Sequence, residues 1–225
     1  MSVAERLSAV RARIASAAAQ AGRDPATVRL VAVSKTKPAA LIREAYAEGQ
    51  RDFGENYAQE LESKAQELTD LSDLCWHFIG HLQTNKAKYV ARHAHVIHTL
   101  DRPELVHELG KRIQGLGRAP MRALIEVNAG LEAHKAGVQT QDLGALLQQV
   151  REHPAFVLQG LMTMPPPDDL DAARRVFDAL SALRDQHGGR AVLPELSMGM
   201  TGDLEVAVAS GATMVRVGSA IFGER

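Results

Sequence analysis

The chain contains one cysteine, Cys75, in 225 residues. A single thiol can form neither an intramolecular disulfide nor a multi-cysteine zinc site, and it suits a reduced, cytoplasmic setting. Aromatic residues make up only 4% of the chain. They are not interleaved with basic residues in the pattern that stacks nucleic-acid bases. An excess of either charge is also missing, since 26 Lys and Arg face 27 Asp and Glu for a net charge of −1. No broad field is available to gather nucleic acid or an acidic membrane. No apolar run approaches the ~20 residues that a membrane-spanning helix needs. What is present, 45% hydrophobic and 24% charged residues, describes a soluble globular protein with a sizeable core.

Ser2 and Glu5 have the spacing of a capping box, and Leu7, Val10, Ile14 and Ala17 follow at helical spacing. They predict an opening amphipathic helix. Strand-like and helix-like stretches then alternate to the end. Strands are expected at Arg29 to Ser34, Asp52 to Glu55, Trp76 to Ile79, His95 to Leu100, Met121 to Val127, Val157 to Met162, Glu195 to Met198 and Thr213 to Val217. Several are apolar on both faces, as parallel strands covered by helices must be. Helical patterns fill the gaps, and Met164 to Asp169 (MPPPDD) is short enough to be one loop. Eight such units predict a (β/α)8 TIM barrel with an additional N-terminal helix, forming one domain over residues 1–225. A doubly wound open sheet is the alternative.

A barrel carries its chemistry at the C-terminal ends of its strands. Lys35 follows the first strand in VAVSKTKP. An amine emerging from an apolar wall loses part of its proton affinity and becomes a nucleophile towards aldehydes. Lys37, beside Pro38, is expected to be a surface lysine. Ser197, Gly199 and Thr201 follow the seventh strand, and Gly218 and Ser219 follow the eighth. Small residues in these two loops let backbone N–H groups approach a phosphate. Arg216 lies inside the last strand and needs a partner there, either Glu195 or another carboxylate, or an acceptor atom on a ligand. A nucleophilic lysine, a phosphate cradle and a strand arginine suit a phosphorylated aldehyde. Pyridoxal phosphate and a sugar phosphate both remain open on these residues.

Five ordered stretches resemble the pyridoxal phosphate homeostasis family (YggS/PROSC): VAVSKTKP (31–38), FGENYAQE (53–60), WHFIGHLQTNK (76–86), GLMTMPP (160–166) and ELSMGMTGDLEVAVASGATMVRVGSAIFGER (195–225). The resemblance implies the fold of an alanine racemase N-terminal domain with pyridoxal 5′-phosphate (PLP) as cofactor. By the same resemblance Lys35 forms the internal aldimine and Arg216 faces the pyridine nitrogen. Ser197, Gly199, Gly218 and Ser219 belong to the phosphate-binding loops, and Asn56 lines the pocket. The stretch Glu126 to Gly137 departs from the family picture and takes no ligand role.

An arginine can only donate, so it leaves the ring nitrogen largely unprotonated and weakens the electron sink. Transaminases and decarboxylases need the opposite arrangement. Racemisation needs an acid/base on each face of the substrate. Lys35 could serve one, and in alanine racemases an additional domain supplies the other, whereas this chain ends at Arg225. The expectation is therefore a non-catalytic, monomeric, cytoplasmic PLP carrier involved in vitamin B6 and amino-acid balance, with PLP-dependent apo-enzymes as partners. An amino-acid racemase is the alternative and a Schiff-base aldolase a third. Nucleic acid and membrane are not expected partners. No metal site is expected from His77, His81, His93, His95 and His98, whose spacing does not form one helical face. His77 or His81 could border the pocket, and Cys75 is expected in the core.

Overall fold

The computed structural model describes residues 1–130 and 136–224. Much of the departing stretch Glu126 to Gly137 therefore lies outside the described residues. Eight parallel strands pair in chain order into a closed barrel. They are β1 (Arg29–Val33), β2 (Asp52–Glu55), β3 (Cys75–Phe78), β4 (Val96–Leu100), β5 (Met121–Glu126), β6 (Phe156–Met162), β7 (Glu195–Ser197) and β8 (Met214–Val217). The ring closes where β1 meets β8, with Arg29 opposite Met214 and Ala32 opposite Val217. The helices are α1 (Val3–Gln20), α2 (Ala39–Ala47), α3 (Ala58–Glu67), α4 (Ala87–His93), α5 (Pro103–Gly115), α6 (Leu143–Glu152), α7 (Leu170–Gln186), α8 (Gly189–Val192), α9 (Leu204–Ala209) and α10 (Ser219–Phe222).

The expected strands agree with these bounds to within a residue at either end. The opening helix forms with its capping box intact: the Glu5 N–H donates to Ser2 Oγ at 3.2 Å, and the Ser2 N–H to Glu5 Oε2 at 2.7 Å. Leu7, Val10, Ile14 and Ala17 are buried on one face of α1. That helix also braces the mouth of the barrel. Arg13 donates to the Thr201 carbonyl at 2.9 Å and pairs with Glu205 at 2.8 Å.

Alternation along each strand sorts side chains into two populations. Phe53, Trp76, Phe78, Ala123, Ile125, Leu196 and Val215 join the large core between sheet and helices. Val96, Leu124 and Met162 form a separate small cluster inside the ring. The rest of the interior is unusually polar. His77, His98, Ser197 and Arg216 are all buried there, where barrels more often stack branched apolar residues.

Candidate functional site at the barrel mouth

A cavity of about 320 Å³ opens at the C-terminal end of the barrel. Its wall includes Lys35, Asn56, Arg216, Gly218 and Ser219, five of the seven residues singled out from the sequence. They come from the ends of β1, β2 and β8, so the seam where the ring closes runs through the site. Met164, Met200, Thr201 and Gly202 complete one side. The two loops expected to hold a phosphate do meet, with Thr201 Oγ1 and Ser219 Oγ 3.2 Å apart.

Lys35 is half-buried at the rim. Its position is set by its neighbours. Ser34 Oγ donates to Glu55 Oε1 at 2.6 Å, and the Thr36 N–H donates to Glu60 Oε1 at 2.6 Å. Thr36 has a φ of 61°, a left-handed conformation that a β-branched residue rarely adopts without support. Behind both lies Lys64 of α3, buried, whose Nζ donates to the Ser34 carbonyl (2.6 Å), Glu55 Oε1 (2.7 Å) and Glu60 Oε1 (2.7 Å). Burial pushes the Glu55 carboxyl up from its ordinary pKa, and Lys64 and Ser34 oppose that. Sequence reasoning missed Lys64, since a lysine on a helix next to Glu60 reads as solvated. The available signal was its spacing three residues after Leu61, which puts both on the buried face of α3.

Lys37 is a correction. It is half-buried, lines the cavity and donates from Nζ to the Glu224 carbonyl at 2.7 Å, because the segment after α10 folds back over it. Asn56 leaves its Oδ1 buried without a hydrogen-bond partner. An unsatisfied buried acceptor in a cavity wall is a group prepared for a ligand.

Arg216 is buried at 4% exposure and does not pair with Glu195. Glu195 instead bonds Thr213 and lies 3.6 Å from Arg29. Arg216 Nη1 donates to Ser197 Oγ at 2.7 Å, and Nη2 to the Thr163 carbonyl at 3.0 Å. Burial lowers its pKa to about 10, with Asp203 and Glu126 opposing, so it stays a cation at neutral pH. Ser197 is thus beneath the cavity with its hydroxyl engaged, accepting from Arg216 and 2.8 Å from His98 Nδ1. Gly199 is also one layer down. Its φ is 93°, and a Cβ there would come within 2.5 Å of the Ala207 methyl, so glycine is needed for the turn and for packing on α9. Its carbonyl accepts from the Arg216 N–H at 2.9 Å.

Among the histidines, His77 and His98 are fully buried inside the ring, and His81 is mostly exposed, 3.6 Å from Asp101. None of the three lines the main cavity. Asp52, Cys75 and His77 bring potential ligand atoms within 4.8 Å of one another at the opposite end of the barrel. Arg122 Nη2 donates to Cys75 Sγ at 2.9 Å, and burial drives that thiol up to about 11. A guanidinium facing a protonated sulfur is a poor metal site. Cys75 is half-buried at the start of β3 rather than in the main core.

The residues present suit a phosphorylated pyridine aldehyde. They offer an amine at the end of β1, an obligate donor on the neighbouring β8, an unsatisfied amide acceptor, and a two-loop cradle of hydroxyls and glycines. Residues 6–225 match the family model described as alanine racemase, N-terminal domain. The pyridoxal phosphate homeostasis protein of Pseudomonas aeruginosa is 47% identical, covering 99% of this chain and 96% of that relative. An unknown protein from Bifidobacterium adolescentis shares the fold at a TM-score of 0.91 with 35% identity, over 98% of this chain and 94% of its own. PipY of Synechococcus elongatus, solved with PLP bound, aligns at a TM-score of 0.83 with 40% identity, covering 98% of this chain and all of that one. This chain belongs to the pyridoxal phosphate homeostasis proteins, built on the alanine racemase N-terminal domain.

Proposed function

We propose that this protein binds PLP at the barrel mouth, held through Lys35, and serves as a carrier in PLP and amino-acid homeostasis. The observation that carries the reading is the convergence of Lys35, Asn56, Arg216, Gly218 and Ser219 on one cavity. When bound, PLP supplies an aldehyde that condenses reversibly with a primary amine, with loss of water. Lys35 provides the amine, oriented by the Ser34 and Thr36 contacts. Thr201, Gly202, Gly218 and Ser219 cradle the phosphate, with Gly199 shaping the loop below them. Arg216, seated on Ser197, donates to the ring nitrogen and keeps it unprotonated.

The racemase alternative needs a proton donor on each face of a substrate. Both lysines on the cavity wall, Lys35 and Lys37, come from one loop, and Lys37 is bonded to the Glu224 carbonyl. That supports the carrier over the racemase. A carrier also needs a link that a competing amine can displace, which a reversible condensation provides.

The test is uptake of PLP by the purified protein, followed by borohydride reduction and peptide mapping. The label is expected on Lys35, and a label predominantly on another lysine overturns the assignment. Release is tested by adding a PLP-dependent apo-enzyme and measuring its recovered activity. No recovery at any ratio argues against a carrier. Solvent deuterium entering the α-carbon of a free amino acid, dependent on Lys35, would favour the racemase.

A further inference from the structure

Five polar residues of the ring form one continuous chain of hydrogen bonds. It begins at Arg216 near the cavity and ends at Asp52, the first residue of β2, at the opposite end of the barrel. Arg216 Nη1 lies 2.7 Å from Ser197 Oγ, and Ser197 Oγ 2.8 Å from His98 Nδ1. His98 Nε2 lies 2.8 Å from His77 Nδ1, and His77 Nε2 2.8 Å from Asp52 Oδ1. Ser197 on β7 and His98 on β4 belong to strands that do not pair, so they meet across the lumen.

The direction of every proton follows from the Asp52 end. A carboxylate can only accept, so a neutral His77 carries its proton on Nε2, donates it to Asp52 and leaves Nδ1 bare to accept from His98 Nε2–H. His98 Nδ1 is then bare and accepts the Ser197 O–H, while the Ser197 oxygen accepts from Arg216, which can only donate. Burial lowers the proton affinity of both imidazoles, most strongly for His98, in keeping with two neutral rings. Asp52 is held below its ordinary value, burial opposing and the His77 bond, Arg29 and Arg122 prevailing. Cys75 Sγ is a weaker neighbour of His77 Nε2, at 3.4 Å.

Such a chain cannot pass a proton to the cavity. A shift towards Arg216 would require the guanidinium to accept, which it cannot do. Its effect is directional. Each link polarises the next, and together they fix which guanidinium N–H groups point down into the ring.

We propose that Asp52, His77 and His98 are positioning residues for Arg216, aiming its guanidinium at the cavity from the far end of the barrel and so tuning its bond to the ring nitrogen of PLP. The tuning part rests on the PLP reading above. The orientation part does not, and the experiment separates them.

The first measurement uses the unliganded protein labelled with ¹⁵N histidine. Both His77 and His98 are expected as the Nε2–H tautomer near neutral pH. An Nδ1–H tautomer or a doubly protonated ring at either position overturns the chain. In Asp52→Asn, still unliganded, the Arg216 guanidinium proton signals are expected to shift or broaden, and unmoved signals in a folded variant overturn the positioning role. Asp52 is partly exposed at a strand start, so this variant keeps the fold more readily than a change at His98.

The second measurement adds PLP. Asp52→Asn is expected to shift the absorbance maximum of the bound cofactor and to weaken binding by up to about tenfold, the equivalent of one ordinary hydrogen bond. Asp73→Asn, a surface carboxylate, is expected to do neither. If the parent protein takes up no PLP, the PLP reading fails and the unliganded spectra still decide the chain. If the parent binds PLP while Asp52→Asn is folded and unchanged in spectrum and affinity, the tuning role fails alone.

Discussion

The two walls of the cavity are held by opposite means. Behind Lys35 the support is ionic: the Lys64 ammonium sits between Glu55 and Glu60 and also grips the Ser34 backbone. Beneath Arg216 the support is neutral: a hydroxyl and two uncharged imidazoles lead away from one buried cation. The ionic cluster fixes backbone, at a loop carrying a left-handed Thr36. The neutral chain fixes the direction of one side chain. In the proposed function the Lys35 amine is presented at the rim by its main chain. A guanidinium that is to donate in one direction needs its remaining protons occupied elsewhere.

The contrast extends to pH. Burial, helped by Asp101 and opposed by Arg216, raises the Glu126 carboxyl at the end of β5 to about 7. The Glu126 carboxyl, like the imidazoles of His77 and His98, is thereby drawn towards its neutral form. For Glu126, with its folded value above the unfolded one, the associated stability is fully present below about 4.5 and lost as pH rises through about 7. His77 and His98, whose folded values are depressed, contribute stability that is lost as pH falls below the ordinary value of 6.5. The two effects oppose each other across that interval.

Three measurements would break or sharpen the comparison. The largest effect is expected from Lys64→Met. It strands the buried Glu55 carboxylate and should lower unfolding free energy in urea by about 3–5 kcal/mol. A loss below about 1 kcal/mol would show that the ionic wall is not what holds the Lys35 loop. Glu126→Gln should come next. Lacking the ionisation, the variant should gain on the parent as pH rises, reaching on the order of 2–3 kcal/mol in mildly alkaline buffer. Parallel stability profiles for the two proteins would mean that the Arg216 wall tolerates an ionised neighbour. The smallest is Ser2→Ala, outside both walls, which removes the α1 cap at a cost of about 1 kcal/mol. It should leave PLP affinity unchanged, whereas a large loss of affinity would show that α1, through Arg13 and Thr201, belongs to the site's support.

The barrel was legible because parallel strands covered on both sides must be apolar runs, and β1, β5 and β8 stand out as such. Lys35, Arg216, Gly218 and Ser219 could be located by counting outward from those strands. The supports were harder to read. Lys64 has the spacing of an ordinary exposed helix lysine, and only tertiary packing on Ser34 and Glu55 buries it. His77 and His98 looked like scattered histidines because their partners lie on strands far away in sequence. The signal lay in alternation: each occupies an inward position of a short strand, as do Asp52, Ser197 and Arg216. Ser197 and Gly199 were read as loop residues at the ligand. In the structure Ser197 holds Arg216 and Gly199 packs against α9, a one-layer offset that strand-end counting cannot resolve.

The pairing of β1 with β8 has a consequence for how the protein is made. Lys35 leaves the first strand of the ring and Arg216 sits in the last, so the pocket has no existence until both strands have been made and the two ends of the barrel zip together. A nascent or truncated chain offers the amine without the cradle. A ligand spanning that seam acts as a clasp, holding the first and last strands to each other and resisting the opening of the ring at its point of closure.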